Sequence, residues 1–157
     1  MTKRDPINPT DDDARALARQ ILTDTRYGAL AVLHSDTGLP YVARVAMLWI
    51  GGGMHTLVSS LSTHTAALAA HPDCAALIGE PGDKGDPLTH PRMTVRGRAE
   101  LVDKAPLRDS WLDLLPKAQL YYDFTDFRMY RLRVSAVDLN GGFGKAYRLG
   151  VDDLPSE

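Results

Sequence analysis

The chain has 157 residues, a net charge of −2 and one cysteine, Cys74. This length suits a single domain that buries roughly 70% of its unfolded surface in one core. The mixed charges provide no basic surface for nucleic acid, and a lone cysteine excludes an internal disulfide or a thiolate metal site. No apolar run approaches the ~18 residues of a membrane span and no apolar leader follows Met1, so we expect a cytoplasmic protein with no membrane partner.

The N-terminal region predicts a disordered segment followed by a packing helix. Residues 1–9 are polar and contain prolines, so we expect disorder there and a single folded domain over residues 10–157. Thr10 is a suitable N-cap, and Asp11–Asp13 favour the positive end of the helix dipole. Five apolar residues then recur at helical spacing: Ala14, Leu17, Ala18, Ile21 and Leu22.

Two strands joined by a turn follow. Residues 29–34 and 40–50 read as strands, and the intervening sequence contains turn residues. The second strand is apolar at both odd and even positions, which predicts burial of both faces. Arg44 interrupts this apolar pattern, and a buried guanidinium needs an anion or an acceptor. The alternatives are a bound anion, a salt bridge or a position at the rim of a barrel.

Hydroxyl groups crowd the start of a short helix in the middle of the chain. A strand over residues 54–58 is followed by serines, and an alanine-rich helix begins near Ser62 with His64 in its first turn. A helix N-terminus has unpaired N–H groups and partial positive charge, which suit a phosphate. The alternative is an ordinary N-cap at Ser62 with solvated neighbours. The five hydroxyl residues are Ser59, Ser60, Ser62, Thr63 and Thr65.

The second half of the chain predicts two further strands, a long loop and another helix. Residues 73–78 form a strand, and the charged loop over residues 80–90 is either a lid or a plain surface connection. Alternation over residues 92–102 indicates a strand with one apolar face. Leu107, Trp111, Leu114 and Leu115 share a helical face that ends at Pro116.

The last strand and the glycine-rich segment complete the pattern. Residues 129–138 read as a strand that leads into Asn140–Lys145, which contains three glycines around Phe143. Such a segment allows close approach of a flat ligand or another subunit, and the alternative is a bulged turn.

Three segments, SSLSTHTAAL, PRMTVRGRAEL and LNGGFGKA, resemble the FMN-binding split-barrel superfamily, typified by pyridoxamine 5'-phosphate oxidase. Within that superfamily they are most similar to the HugZ/HutZ-like haem-utilisation branch. The resemblance implies a mainly β fold with packed helices, a six-stranded antiparallel split barrel. It also implies a homodimer with flavin mononucleotide (FMN) held at the subunit interface.

The resemblance assigns cofactor-binding roles to particular positions. Arg44, with Val45 beside it, stands where the oxidase strand reaches the cofactor, whereas Trp49 falls near the place of a phosphate-binding lysine. The segment from Ser59 to Thr65 corresponds to the phosphate-binding segment, with Thr63 in the place of an arginine and His64 in that of a lysine. Arg92 stands where the oxidase has a glutamine against the flavin. Phe143 and Lys145 are expected to come from the partner subunit.

The implied function is that of an FMN-dependent oxidoreductase with an unknown substrate, in which the flavin carries the redox chemistry. Pyridoxamine 5'-phosphate oxidase activity itself is not expected, because the Arg-x-His substrate motif is missing and Arg131-Leu132-Arg133 is the nearest string. The alternatives are a haem-binding protein of the HugZ/HutZ type, a non-catalytic flavin protein and a deazaflavin protein. A haem role would need a ligand other than the C-terminal histidine of that branch, which is absent. No metal site is expected.

Overall fold

Eight strands form one sheet that closes on itself in the computed structural model, which describes residues 5–157. Three α-helices pack on the sheet: α1 (Asp12–Asp24), α2 (Thr63–Ala70) and α3 (Arg108–Leu114). The strands are β1 (Ile7–Asn8), β2 (Tyr27–Leu33), β3 (Pro40–Ile50), β4 (Gly53–Ser59), β5 (Asp73–Ile78), β6 (Arg92–Val102), β7 (Phe127–Asn140) and β8 (Ala146–Leu149).

Six of these strands form the predicted closed antiparallel barrel, in the order β7-β4-β3-β2-β5-β6 and back to β7. Closure depends on the length of β7, which pairs with β6 along one edge. Along its other edge, β7 pairs first with β4 and then with β8. Because every barrel strand has two neighbours, the barrel exposes few unpaired edges.

The barrel interior is a single apolar core that α1 covers. Four of the five residues of the predicted stripe are buried, and Leu17 packs at its margin. Asp11, and not Thr10, caps the helix, because the Asp11 carboxylate accepts a hydrogen bond from the Ala14 N–H at 2.8 Å. The Thr10 hydroxyl instead donates to the Arg148 carbonyl at 3.0 Å. The predicted cap was therefore wrong by one residue, since both side chains are good caps and only the chain path decides between them.

A second apolar cluster lies outside the barrel, between the sheet and the segment that carries α3. Trp111 and Tyr122 are its largest fully buried side chains, and they pack with Leu48, Leu57 and Met129. Leu114 was predicted to share the buried face, but it is exposed. The helix ends at Leu114, so its last residue extends beyond the contact with the sheet.

The prediction that β3 is buried on both faces is wrong for its first half. Val42 is 63% exposed, and Pro40 and Tyr41 are also exposed. β3 pairs with β4 only from Met47 to Ile50, so the two strands separate toward Pro40 and split the barrel. No described part of the same chain covers the outer face there, which the apolar sequence alone did not reveal.

Part of the N-terminal segment lies against the sheet. Residues 1–4 of the segment predicted to be disordered are outside the described residues. Ile7 and Asn8 form β1, which pairs in parallel with β8. The Asn8 side chain donates to the Gly144 carbonyl at 2.7 Å, so β1 supports the glycine-rich turn. No helix within residues 5–157 is long and apolar enough to cross a membrane.

Candidate cofactor site

The turn between β4 and α2 is held by the hydroxyl residues that the sequence singled out. The Thr65 hydroxyl donates to the Ser59 carbonyl at 2.5 Å, and the Ser59 hydroxyl accepts from the Leu61 N–H at 3.2 Å. The Ser60 N–H donates to the Asp126 carbonyl at 2.6 Å. Ser59 and Thr65 therefore use their side chains to fix the turn, which leaves the other hydroxyls for solvent or a ligand.

The first turn of α2 presents several hydrogen-bonding groups that have no partner within residues 5–157. These are the backbone N–H groups of Thr63 and His64 and the hydroxyls of Ser60, Ser62 and Thr63. Ser62 occupies the predicted N-cap position, but its side chain makes no capping hydrogen bond. The first turn of this helix contains no acidic residue. This combination of free donors and partial positive charge is suited to an anion.

His64 lies half-buried in the same turn. Burial lowers the pKa of its imidazole, because desolvation disfavours the charged form. At neutral pH the side chain therefore contributes hydrogen bonding without a full positive charge, unlike a lysine at the same place.

Arg44 is the predicted candidate for a permanent charge near this turn. It pairs with Ala29 on the outer face of the barrel and is exposed, so its predicted burial is wrong and no desolvation penalty demands an anion. Continuing the β3–β4 register past its last pair puts Arg44 level with Ser59, across the split in the barrel. The guanidinium carbon lies 5.7 Å from the centre of the Tyr27 ring. Within residues 5–157, no carboxylate forms an ion pair with Arg44.

The surroundings of Arg44 include two features that the sequence did not reveal. Tyr27 precedes the predicted start of its strand, so its position under Arg44 was missed. Arg44 and Tyr27 line a cavity of about 160 Å³ with Gly79, Glu80 and Pro81. Val45, by contrast, is only 6% exposed and belongs to the barrel core, so it can reach a cofactor only through its main chain.

An apolar strip runs across the outer face of the barrel beside Arg44. Its members share that face because they are cross-strand partners or lie two residues apart on one strand. Most of the side chains are small, which leaves a low and even surface for a flat ring. The strip consists of Ala29, Ala31, Val42, Ala75 and Leu77.

The remaining predicted residues form a second group around the start of β6. Arg92 is half-buried and donates from Nη1 to the Leu88 carbonyl at 2.9 Å. Phe143 is 99% exposed at the tip of the β7–β8 turn, and Lys145 is exposed beside it. In the barrel order β3-β2-β5-β6, two strands lie between the strand of Arg44 and the strand where this group begins. One chain therefore does not bring all eleven predicted residues together.

The glycine-rich segment is a tight turn whose geometry explains its composition. Gly142 and Gly144 have φ values of 118° and 73°, which side chains rarely adopt. The Gly141 N–H donates to the Lys145 carbonyl at 2.7 Å and closes the turn. The last predicted strand, residues 129–138, was two residues too short at each end, because β7 runs from Phe127 to Asn140. β8 was missed because its four residues are too few for a periodic signal.

Comparisons with known proteins agree with this architecture. No protein-family model matches the sequence. A curated relative, the chloroplastic non-canonical heme oxygenase HOZ of Arabidopsis thaliana, is 38% identical over 104 residues, which are 64% of this chain and 30% of the relative. The chain thus spans less than a third of that protein.

Solved structures give broader coverage. One is 39% identical, with a TM-score of 0.87 over 92% of this chain and 97% of its own length. A heme-binding protein from Mycobacterium smegmatis is 31% identical, with a TM-score of 0.81 over 94% of this chain and 60% of its own. A protein of the pyridoxinephosphate oxidase family from Clostridium acetobutylicum is 11% identical, with a TM-score of 0.70 over 92% of this chain and 99% of its own. The last comparison shows the fold alone.

Proposed function

The chain belongs to the FMN-binding split-barrel superfamily, which is related to pyridoxamine 5'-phosphate oxidase and includes the HugZ/HutZ-like proteins, and on this premise we propose that it binds FMN. The phosphate would lie at the first turn of α2, and the ring would lie on the apolar strip beside Arg44. The observation that supports this proposal best is a set of donors without partners among the described residues, namely the backbone N–H groups of Thr63 and His64 and the hydroxyls of Ser62 and Thr63. They follow Ser59, which is level with Arg44, and Arg44 has no carboxylate partner among the described residues.

These residues fit the chemistry of the cofactor. A phosphate accepts hydrogen bonds from backbone N–H groups and hydroxyls, and a guanidinium adds a charge-assisted bond of about 1.5–3 kcal/mol. When bound, the flavin ring supplies the oxidation–reduction chemistry, so the protein's tasks are to anchor, bury and orient it. We therefore propose an FMN-dependent oxidoreductase whose substrate and electron donor are small molecules.

The proposed site needs a second copy of the chain. The apolar strip is uncovered in one subunit, and two strands separate the strand of Arg44 from the group formed by Arg92, Phe143 and Lys145. A twofold homodimer would cover the strip and bring these residues from the partner toward the flavin. Closed twofold association is also the commonest oligomeric arrangement.

Haem is the second candidate cofactor, and it is favoured by the similarity to the two haem-related proteins above 30% identity. Haem is also a flat ring with anionic groups, so the same surface would suit it. It would further need an axial side chain such as a histidine, and the five histidines differ in which ring nitrogens already make hydrogen bonds. Both ring nitrogens of His90 make hydrogen bonds, while His34 and His55 each use Nδ1. His64 and His71 make no ring hydrogen bond within residues 5–157, and His64 is the one beside the proposed site.

A visible absorption spectrum of the purified protein tests the cofactor. FMN and haemin are added separately, and each sample is desalted before measurement. We expect retained flavin bands and no Soret band. A retained Soret band without flavin would mean that the cofactor is haem. If the Soret band were then lost in His64→Ala but not in His71→Ala, His64 would be the axial ligand.

The double variant Arg44→Ala/His64→Ala tests the anchoring residues. We expect it to lose FMN binding in an equilibrium titration. Its oligomeric state and its thermal unfolding temperature should remain those of the wild type. Arg19→Ala/His34→Ala is the matched control, because it removes the same charges from exposed or peripheral positions. Unchanged FMN affinity in the first variant would contradict the assignment.

Turnover separates an oxidoreductase from a non-catalytic flavin carrier. We expect a reduced nicotinamide nucleotide to bleach the flavin absorption of the loaded protein under anaerobic conditions. Persistent oxidised flavin with every donor tested would favour a carrier. The deazaflavin alternative is tested by competition with FMN in the same titration, and the cytoplasmic location stays a prediction.

A further inference from the structure

The loop over residues 80–90 is organised by one side chain, the imidazole of His90. The Gly82 N–H donates to His90 Nδ1 at 2.6 Å, and His90 Nε2 lies 2.7 Å from the Lys84 carbonyl. A backbone N–H can only donate, so Nδ1 must carry a lone pair. A carbonyl can only accept, so Nε2 must carry the proton. The contacts thus require a neutral imidazole in one tautomer.

The two ends of this loop border the two groups of the proposed cofactor site. At its start, Glu80 and Pro81 line the cavity that contains Arg44. At its end, the Leu88 and His90 carbonyls accept from Arg92 Nη1 at 2.9 and 3.4 Å. The Thr89 carbonyl also lies against the glycine-rich turn, 3.0 Å from the point where a Cβ on Gly142 would stand.

We propose that His90 is a proton-operated latch, which holds the loop over residues 80–90 in place at neutral pH and releases it on acidification. One proton taken from solvent onto Nδ1 converts the acceptor of the Gly82 N–H into a donor. Two donors then face each other, so that hydrogen bond is lost and only the contact to Lys84 remains. The loop's first residues would separate from its last, and the wall of the Arg44 cavity would move with them.

No ion pair involves the His90 imidazole among the described residues. The loop itself carries Glu80, Asp83, Lys84 and Asp86. Asp86 is committed to the short helical turn after it, since its side chain accepts from the Leu88 N–H at 2.9 Å. From β6, the cationic Arg92 donates to the His90 carbonyl at 3.4 Å.

The latch is tested on the cofactor-free protein, by the rate at which the Gly82 amide exchanges with water in NMR spectra at pH 8 and pH 5.5. Rates are divided by the intrinsic rate of an unprotected amide at each pH. We expect protection of Gly82 in the wild type to fall by about two- to tenfold at pH 5.5, the effect of losing one hydrogen bond. Unchanged protection would overturn the proposal.

Two variants complete the test. In His90→Asn, the amide oxygen takes the place of Nδ1 and cannot titrate, so protection of Gly82 should be the same at both pH values. His34→Asn is the control, because His34 Nδ1 also accepts a backbone N–H, from Asp36 at 3.2 Å, but in a different turn. It should keep the pH dependence of the wild type. If His90→Asn also keeps that dependence, another group operates the loop.

The effect on the cofactor rests on the proposed function and is measured separately. FMN affinity of the wild type and of His90→Asn is compared at pH 5.5, where the contribution of His64 is common to both. We expect the variant to bind severalfold more tightly at pH 5.5 and equally at pH 8. Absence of FMN binding in both proteins would contradict the proposed function, whereas the Gly82 measurement would still decide the latch.

Discussion

At the scale of single residues, the proposed phosphate site differs from a strongly cationic one because the side chain of His64 is uncharged at neutral pH. Its half-buried imidazole has a lowered pKa, so it is neutral at pH 7. Arg44 and the backbone N–H groups therefore provide the attraction for an anion at neutral pH. A bound phosphate would favour the protonated imidazole, because an opposite charge nearby raises the pKa of a base.

This argument predicts a pH-dependent contribution of His64 to FMN affinity. Between pH 8 and pH 5.5, the ratio of wild-type affinity to that of His64→Gln should rise, since only the wild type gains a proton and a charge-assisted bond. The expected change is up to about tenfold. Fluorescence titration at each pH measures the ratio, which cancels the effects of pH that are common to both proteins. A flat ratio would show that His64 does not face the phosphate.

The same residues show what the sequence could and could not predict about the site. The β4–α2 turn was predictable because caps and hydroxyls are local signals. The exposure of Arg44 was not predictable, because its neighbours on β3 are apolar at both odd and even positions. Only the separation of β3 from β4 leaves these residues uncovered. The role of His90 was missed as well, since its partners Gly82 and Lys84 are backbone groups that no sequence pattern marks.

At the scale of the elements, α1 illustrates how a single cap decides where a helix begins. The Asp11 side chain satisfies the Ala14 N–H, which otherwise has no partner in the first turn. Asp11→Ala should lower the free energy of unfolding by about 1 kcal/mol. Asp13→Ala is the matched control, because it removes a carboxylate from the same turn without removing a cap, and it should cost only a few tenths of a kcal/mol. Urea unfolding measures both, and equal losses would mean that the effect is electrostatic.

The strands were more predictable than their surroundings. β3, β5 and β6 have the predicted bounds, because alternation or apolar runs of six to eleven residues are strong signals. β1 and β8 were missed because strands of two and four residues depend on partners distant in sequence. The split of the barrel likewise depends on how far β3 and β4 pair. The glycines at Gly51–Gly53 indicate a turn between the two strands, but they do not indicate where the pairing stops.

At the scale of the whole molecule, a buried histidine makes stability depend on pH in mild acid. His55 is 5% exposed on β4, and desolvation lowers its pKa, with a smaller lowering from Arg131. The unfolded chain therefore binds a proton on His55 more readily than the folded protein does. Stability is complete above the ordinary histidine pKa of ~6.5 and declines as pH falls below it. The carboxylates with lowered pKa, such as Glu100 and Asp123, change the stability only below about pH 4.5, where they begin to bind protons in the unfolded chain.

We therefore expect the free energy of unfolding to fall between pH 7 and pH 5, and to fall less in His55→Gln. The variant loses stability at pH 7 because the hydrogen bond between Nδ1 and the Gly53 carbonyl is changed, so the slope with pH is the diagnostic quantity. Urea unfolding at several pH values measures that slope. His71→Gln serves as the control at a half-buried position, and a slope that drops equally in both variants would remove His55 from this role.

The uncovered apolar strip argues for association of two chains, because exposed apolar surface of this kind marks interfaces in soluble proteins. Val42 lies at the β3 end of the strip and is 63% exposed, so a charge there would have to be desolvated on association. Val42→Asp should therefore shift the protein from dimer to monomer in sedimentation experiments and weaken FMN binding with it. Leu120→Asp is the matched control, because Leu120 is 80% exposed and lies on the α3 segment, away from the strip. A dimer that survives Val42→Asp with unchanged FMN affinity would place the subunit contact, and the flavin, on another face.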